Sequence, residues 1–173
     1  SEMCIRDRWR PFLLGGVFQV NGQAPLKDQA LKWDYSKLDI ERAARRYNIR
    51  WRLPESFPIA TQSAGRAFYW IEENDSEIAK QFALFVYQKY FVEGIDIRSK
   101  NIVAGLAVDF GLDVDECLFA IDSDVYKEKL KLVTAEAIER NVCGSPFIFV
   151  GNEPFWGHDR LSMVEEWIQI GGW

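Results

Sequence analysis

The stretch Gly144-Ser145-Pro146-Phe147-Ile148-Phe149-Val150-Gly151-Asn152-Glu153-Pro154-Phe155-Trp156-Gly157-His158-Asp159-Arg160-Leu161 decides the fold. Phe147 to Val150 is a short run of apolar, mostly β-favouring residues, the mark of a buried strand. Gly151-Asn152 is a two-residue turn signal, so Glu153 to Trp156 pairs back as a hairpin partner. Pro146 cannot donate to a sheet ladder, and a strand start is a position that tolerates it. A cis Ser145–Pro146 bond would be a structural device there. From Arg160 to Ile170, Leu161, Val164 and Ile168 share one face, which gives a closing amphipathic helix.

Upstream, apolar periodicity predicts helices. Leu26 to Tyr47 is one. Its second half sets Ile40, Ala43, Ala44 and Tyr47 on one face, and Asn48 is its stop. Trp51 to Pro58 holds two prolines and reads as extended. Thr61 to Glu72 is a helix capped by Thr61. Another follows Asn74-Asp75 and presents Ile78, Phe82 and Phe85. Ser99 caps a third, with Ile102, Val103, Leu106, Ala107 and Phe110 on its apolar face and Gly111 as its stop. Asp113 to Ile121 is short. A long helix starts at Ser123 or Asp124, with Tyr126, Leu130, Val133 and Ala137 inside. Arg8 to Leu14, aromatic and apolar before Gly15-Gly16, reads as a strand and turn. Strands at both ends of a helical block predict an α/β core carrying a helical insertion.

Composition narrows the function classes. The chain has 173 residues, 48% hydrophobic and 27% charged, with net charge −5. This is ordinary globular composition, sized for one domain with an insertion. The densest basic stretch, Arg42-Ala43-Ala44-Arg45-Arg46, is broken by alanines, so no nucleic-acid groove is expected. No apolar run approaches the ~20 residues that span a bilayer, so no membrane partner is expected. Cys4, Cys117 and Cys143 form neither a CxxC pair nor a zinc spacing, and a reducing, cytoplasmic setting is the expectation. His158 is the only histidine. It cannot build a His-rich metal site, and no metal is expected.

The opening residues Ser1-Glu2-Met3-Cys4-Ile5-Arg6-Asp7 back-translate as TCG GAG ATG TGT ATA AGA GAC. That resembles a transposon-end adapter of sequencing libraries; the alternative is a disordered polar terminus. Residues 1–8 are therefore expected to be non-native and Cys4 to carry no function.

A helix, a small-residue-Pro step, a hairpin and a terminal helix resemble the C-terminal half of a thioredoxin fold. The helical insertion resembles the DsbA-like branch. Within it, Trp9-Arg10-Pro11-Phe12-Leu13-Leu14-Gly15-Gly16-Val17-Phe18, Phe57-Pro58-Ile59 and above all Phe155-Trp156-Gly157-His158-Asp159-Arg160-Leu161 are similar to the kappa-class glutathione transferase and 2-hydroxychromene-2-carboxylate isomerase family. The resemblance covers nearly everything from Arg8 onward. It implies a thioredoxin-like fold with a DsbA-type helical insertion, lacking the first strand and helix. Residues 9–25 and 123–173 would form a partial thioredoxin-like domain and 26–122 the insertion. It further implies that the catalytic Ser lies on a loop upstream of Trp9, so no catalytic residue is assigned here. Loss of a central strand would leave strand edges unpaired and the chain poorly stable alone.

The resemblance also implies glutathione as cofactor. Ser145, beside Pro146, would pair its backbone with the peptide as an added strand. His158 and Asp159 would hold the γ-glutamyl end, through free N–H groups at a helix start and the Asp carboxylate. A plain N-cap is the simpler role for Asp159. Lys32 matches a family lysine near the cofactor. Gln23 falls where relatives carry Asn after Gly, and Ala60 where they often carry Asn, so the member is divergent. Trp33 and Trp70, with Phe68 and Tyr69, would line an apolar substrate cleft between the domains; a core role is the alternative. The expected activity is a glutathione-dependent isomerase or transferase acting on a small aromatic compound, in a homodimer. A DsbA-type thiol-disulfide oxidoreductase, which needs an upstream CxxC, and a noncatalytic fragment are the alternatives.

Overall fold

The computed structural model describes residues 7–173. The expectation of an adapter-derived segment, and Cys4 with it, falls almost wholly outside those residues. The described chain holds eight α-helices and one hairpin. The helices are α1 (Leu14–Asn21), α2 (Ala30–Arg46), α3 (Gln62–Glu72), α4 (Ser76–Gln88), α5 (Lys100–Ala107), α6 (Val114–Asp122), α7 (Asp124–Glu139) and α8 (Leu161–Ile170). Strands β1 (Phe147–Val150) and β2 (Glu153–Trp156) lie between α7 and α8.

The helical block packs around α3, which meets α4, α5, α6 and α7. Its core includes Phe68, Tyr69, Ile71, Phe82, Val103, Ile121 and Leu130. These residues recur at helical spacing, so each helix buries one stripe against the others. Caps set two of the helix starts. Asp75 accepts from the Glu77 and Ile78 amides, and Asp113 from those of Asp115 and Glu116. Thr61 and Ser99 occupy their expected cap positions, but neither side chain makes a capping bond.

The predicted strand at Arg8–Leu14 is not formed. Residues 7–13 are irregular and α1 starts at Leu14, so Gly15-Gly16 lies inside a helix rather than in a turn. The physical reason is that helix side chains, not a neighbouring strand, satisfy this segment. The Leu13 amide donates to Thr134 Oγ1 at 3.0 Å, and Tyr69 Oη donates to the Pro11 carbonyl at 2.6 Å. Arg10 makes a two-pronged contact with Glu136 at 2.7 and 2.6 Å. Gly16 packs closely on α7: a Cβ there would stand 3.3 Å from Thr134 Cγ2, a tight contact.

Two helices end in the same way, and both endings aim the chain at the site. After α2, Asn48 takes a left-handed φ of 53°, and the Ile49 amide reaches back to the Ala44 carbonyl. After α7, Asn141 takes φ 59°, and the Val142 amide reaches back to the Ala137 carbonyl. Asn tolerates this conformation where most residues do not.

The hairpin forms where it was predicted. β1 and β2 pair antiparallel, from Phe147 opposite Trp156 to Val150 opposite Glu153, with Gly151 in the turn at φ 63°. Ser145–Pro146 is cis, as is Phe57–Pro58. α8 packs on β1, and Phe155 is buried edge-to-face against Trp167.

Candidate functional site

The register of the hairpin assembles the first half of the site. The ladder continues one step past the strands: the Gly157 amide donates to the Pro146 carbonyl at 3.0 Å. Ser145 directly precedes one member of that pair and His158 directly follows the other. Segments separated by a whole hairpin thus meet at one end of it. Among the described residues, Ser145 enters no backbone hydrogen bond through its own N–H or C=O.

Two glycines make this end possible. A Cβ at Gly144 would fall 2.3 Å from Trp156 Nε1, so only glycine lets the indole lie over that backbone. Gly157 has φ 105°, and a Cβ there would fall 2.4 Å from Asp159 Oδ1. That conformation favours glycine, and a Cβ would also push the exposed Asp159 side chain aside.

Asp159 does not cap α8. It sits in a single 3-10 turn, His158–Arg160, that precedes the helix, and no capping bond is made at either start. Its carboxylate contacts Arg160 Nη1 at 2.9 Å and is well exposed. The His158 and Asp159 amides have no backbone acceptor among the described residues. The turn therefore offers two free N–H donors and one carboxylate, a set that fits an amino-acid head group: an ammonium on the carboxylate, a carboxylate on the amides.

The second half of the site is a cavity of about 440 Å³ beside His158. Ile40, Ala43 and Ala44 of α2 form its floor, with Asp39 and Tyr47 at the edges. Ile49 and Trp51, delivered by the Asn48 turn, form one wall; His158 and Leu161 form the other. The Tyr47 and His158 rings meet edge-on, with centroids 6.1 Å apart. The lining is almost wholly apolar, and two small alanines leave the room.

The other predicted site residues are placed as follows. Trp33 stacks on Phe57 at 5.7 Å, in an aromatic group that also holds Phe91 and Trp51. It does not line the cavity and connects to Trp51 only through Phe57 and Phe91. Trp70 lies elsewhere, in a separate cavity between α3 and the corner joining α6 to α7. Trp33 and Trp70 therefore do not share a cleft. Phe68 and Tyr69 are core residues, each 2% exposed. Burial pushes the Tyr69 phenol far above its ordinary pKa, so it stays a donor to the Pro11 carbonyl. Gln23 follows the left-handed Gly22 that ends α1, and Lys32 is exposed in the first turn of α2. Neither lines the cavity. Ile49 and Leu161 were not anticipated as lining residues, although the Ile40-Ala43-Ala44-Tyr47 face was visible as a periodic stripe.

Cys143 is half-buried near the cis proline. Cys117 is fully buried, and burial pushes its thiol up to about 11. Among the described residues no group of His, Cys, Asp or Glu could hold a metal ion, and no helix is long and apolar enough to cross a membrane.

A cis-proline step, a hairpin, a closing helix and a helical block define the DsbA-like thioredoxin class. The chain belongs to the family of DSBA-like thioredoxin domains, whose model matches residues 4–169. It is 29% identical over 130 residues to a 2-hydroxychromene-2-carboxylate isomerase of Sphingobium xenophagum, covering 75% of this chain and 65% of that protein. It is 26% identical over 173 residues to glutathione S-transferase kappa 2 of Caenorhabditis elegans, covering 92% of this chain and 76% of that one. The solved structure of a 2-hydroxychromene-2-carboxylate isomerase superposes with a TM-score of 0.84 at 27% identity, over 94% of this chain and 79% of that one. The chain spans a little under two thirds of the length of the Sphingobium isomerase.

Proposed function

We propose that the protein is a glutathione-dependent isomerase or transferase that acts on a small aromatic compound such as 2-hydroxychromene-2-carboxylate. The observation that carries this reading is the hairpin end, where Pro146 pairs with Gly157, the residue before the 158–160 turn, and His158 lines an apolar cavity. Similarity to the isomerases and to the kappa transferase supports the same reading.

In this reading Asp159 takes the ammonium of the γ-glutamyl group, and the His158 and Asp159 amides take its carboxylate. The free N–H and C=O of Ser145 pair with the peptide backbone in the manner of an added strand. Gln23 and Lys32 are outer polar contacts. When bound, glutathione supplies a sulfur nucleophile for reversible addition to an electrophilic carbon. The apolar lining favours an apolar ligand body, and the rings of Tyr47 and Trp51 orient an aromatic ring. Trp33 is linked to Trp51 through Phe57 and Phe91, which pack between them.

Asp159 is exposed and bonded only to its neighbour, so Asp159→Ala leaves the fold intact. Calorimetric titration with glutathione should show affinity weakened about 10- to 100-fold, the value of a hydrogen bond to a charged group. Equal affinity in parent and variant would remove Asp159 from the site and take the γ-glutamyl placement with it.

A further inference from the structure

The cavity that holds Trp70 has a chemistry of its own. Its volume is about 430 Å³, and it shares no lining residue with the cavity at His158. Three aromatic rings face it: Trp70 from α3, Phe119 from α6 and Tyr126 from α7. Two carboxylates, Asp115 and Glu116, stand on the first turn of α6 at its rim. No Lys or Arg lines it.

Each acidic group has its charge to spare. The first-turn amides of α6 are satisfied by Asp113, so Asp115 and Glu116 are not needed as caps. Neither has an ion-pair partner among the described residues. A third carboxylate joins them: Glu73 accepts from Tyr126 Oη at 2.7 Å, which fixes the ring and holds that charge at the same edge. The bases nearby are engaged elsewhere. Lys127 pairs with Asp124 at 3.1 Å, Lys100 pairs with Asp122, and Arg66 donates to the Ile121 carbonyl.

Phe119 is 78% exposed, more than any other aromatic side chain among the described residues. It contributes little to the core, and it stands beside carboxylates at the mouth of a cavity. Aromatic faces carry negative quadrupole density, so rings and carboxylates together attract a cation with an apolar body and repel anions. An aromatic carboxylate or a thiol peptide of net negative charge is therefore the wrong ligand for this cavity.

We propose that the Trp70–Phe119–Tyr126 cavity binds a small organic cation, an aryl- or alkylammonium ion. The site is independent of the proposed catalytic one. Phenyltrimethylammonium is the probe, and its neutral carbon isostere tert-butylbenzene the control. Calorimetry should show saturable binding of the cation and none of the isostere. Phe119→Ala should weaken the cation about 2- to 30-fold, the span of a cation–π contact from exposed to desolvated. Asp115→Asn with Glu116→Gln should weaken it similarly and flatten its dependence on salt. All three positions are exposed, so thermal melts should match the parent. Equal binding of the isostere, no saturable heat with millimolar probe, or unchanged affinity in both variants would overturn the proposal.

Discussion

The helical block and the hairpin end are built by different economies. In the block, residues such as Phe82, Val103, Cys117 and Ile121 are at most 1% exposed, and α3 is covered on several sides. At the hairpin, all four β1 side chains are only half-buried and Trp156 is 58% exposed. One region is held by volume filled on every side. The other is held by a four-residue ladder, two obligatory glycines and one packed helix. The block is closely filled, whereas at the hairpin end the backbone groups of Ser145 and the amides of His158 and Asp159 have no backbone partner among the described residues.

Truncating one phenylalanine in each region tests that contrast. Phe82 is 1% exposed and meets Phe110 edge-on at 5.9 Å. Phe82→Ala should cost about 3–5 kcal/mol, the range for a large core side chain replaced by alanine. Phe147, half-buried beside Phe149, loses less area, and Phe147→Ala should cost about 1–2 kcal/mol. Urea unfolding of both variants measures the gap. Equal losses would mean that the hairpin is as much a part of the cooperative core as α4.

A smaller effect sharpens the contrast by adding an atom instead of removing several. The Cβ of Gly144→Ala must displace the Trp156 indole, for about 1–3 kcal/mol of overpacking. The change should show in tryptophan emission while the helical circular dichroism of the block stays constant. Gly105, inside α5 with nothing within 4 Å of its would-be Cβ, is the counter-case. There Gly105→Ala should stabilise by about 0.5–1 kcal/mol, because only backbone entropy changes.

The same two regions differ in how much of them could be read from sequence. Helix positions followed from apolar spacing, and the hairpin from Gly151-Asn152, because both signals are local. Arg8–Leu14 looked like a strand for the same local reasons. Its true state is set by Thr134, Tyr69 and Glu136, partners 58 to 126 residues away that no local pattern reveals. Thr61 and Ser99 marked helix starts correctly, yet whether a cap side chain bonds depends on geometry beyond its type. In the site, the neighbourhood of Ser145 and His158 was readable once the hairpin was assumed. The cavity was not, since the Ile49–Trp51 segment and Leu161 come from distant parts of the chain. Trp33 and Trp70 were grouped as aromatics, but side-chain type does not say which cavity a helix turns its residues toward.

The Arg10–Glu136 pair is where the irregular segment is tied to α7, and it gives an effect as small as that at Gly105. Both prongs are short, at 2.7 and 2.6 Å, but the Glu136 side chain is 44% exposed, so solvent screens much of the attraction. Glu136→Gln should therefore cost only about 0.5–1 kcal/mol near neutral pH. The pH dependence carries more information than the size. Arg10 holds the Glu136 carboxyl below its ordinary pKa. A group with a depressed folded-state pKa contributes stability that is full above its unfolded value and lost as pH falls through the folded one. The parent should thus keep its advantage over Glu136→Gln above the ordinary glutamate range and lose it as pH falls below that range, with the two curves converging at the acid end. Thermal melts across that window measure it. A constant offset at every pH would mean that the pair acts by shape alone, and that hydrogen bonds to Tyr69 and Thr134, not charge, hold the segment to the block.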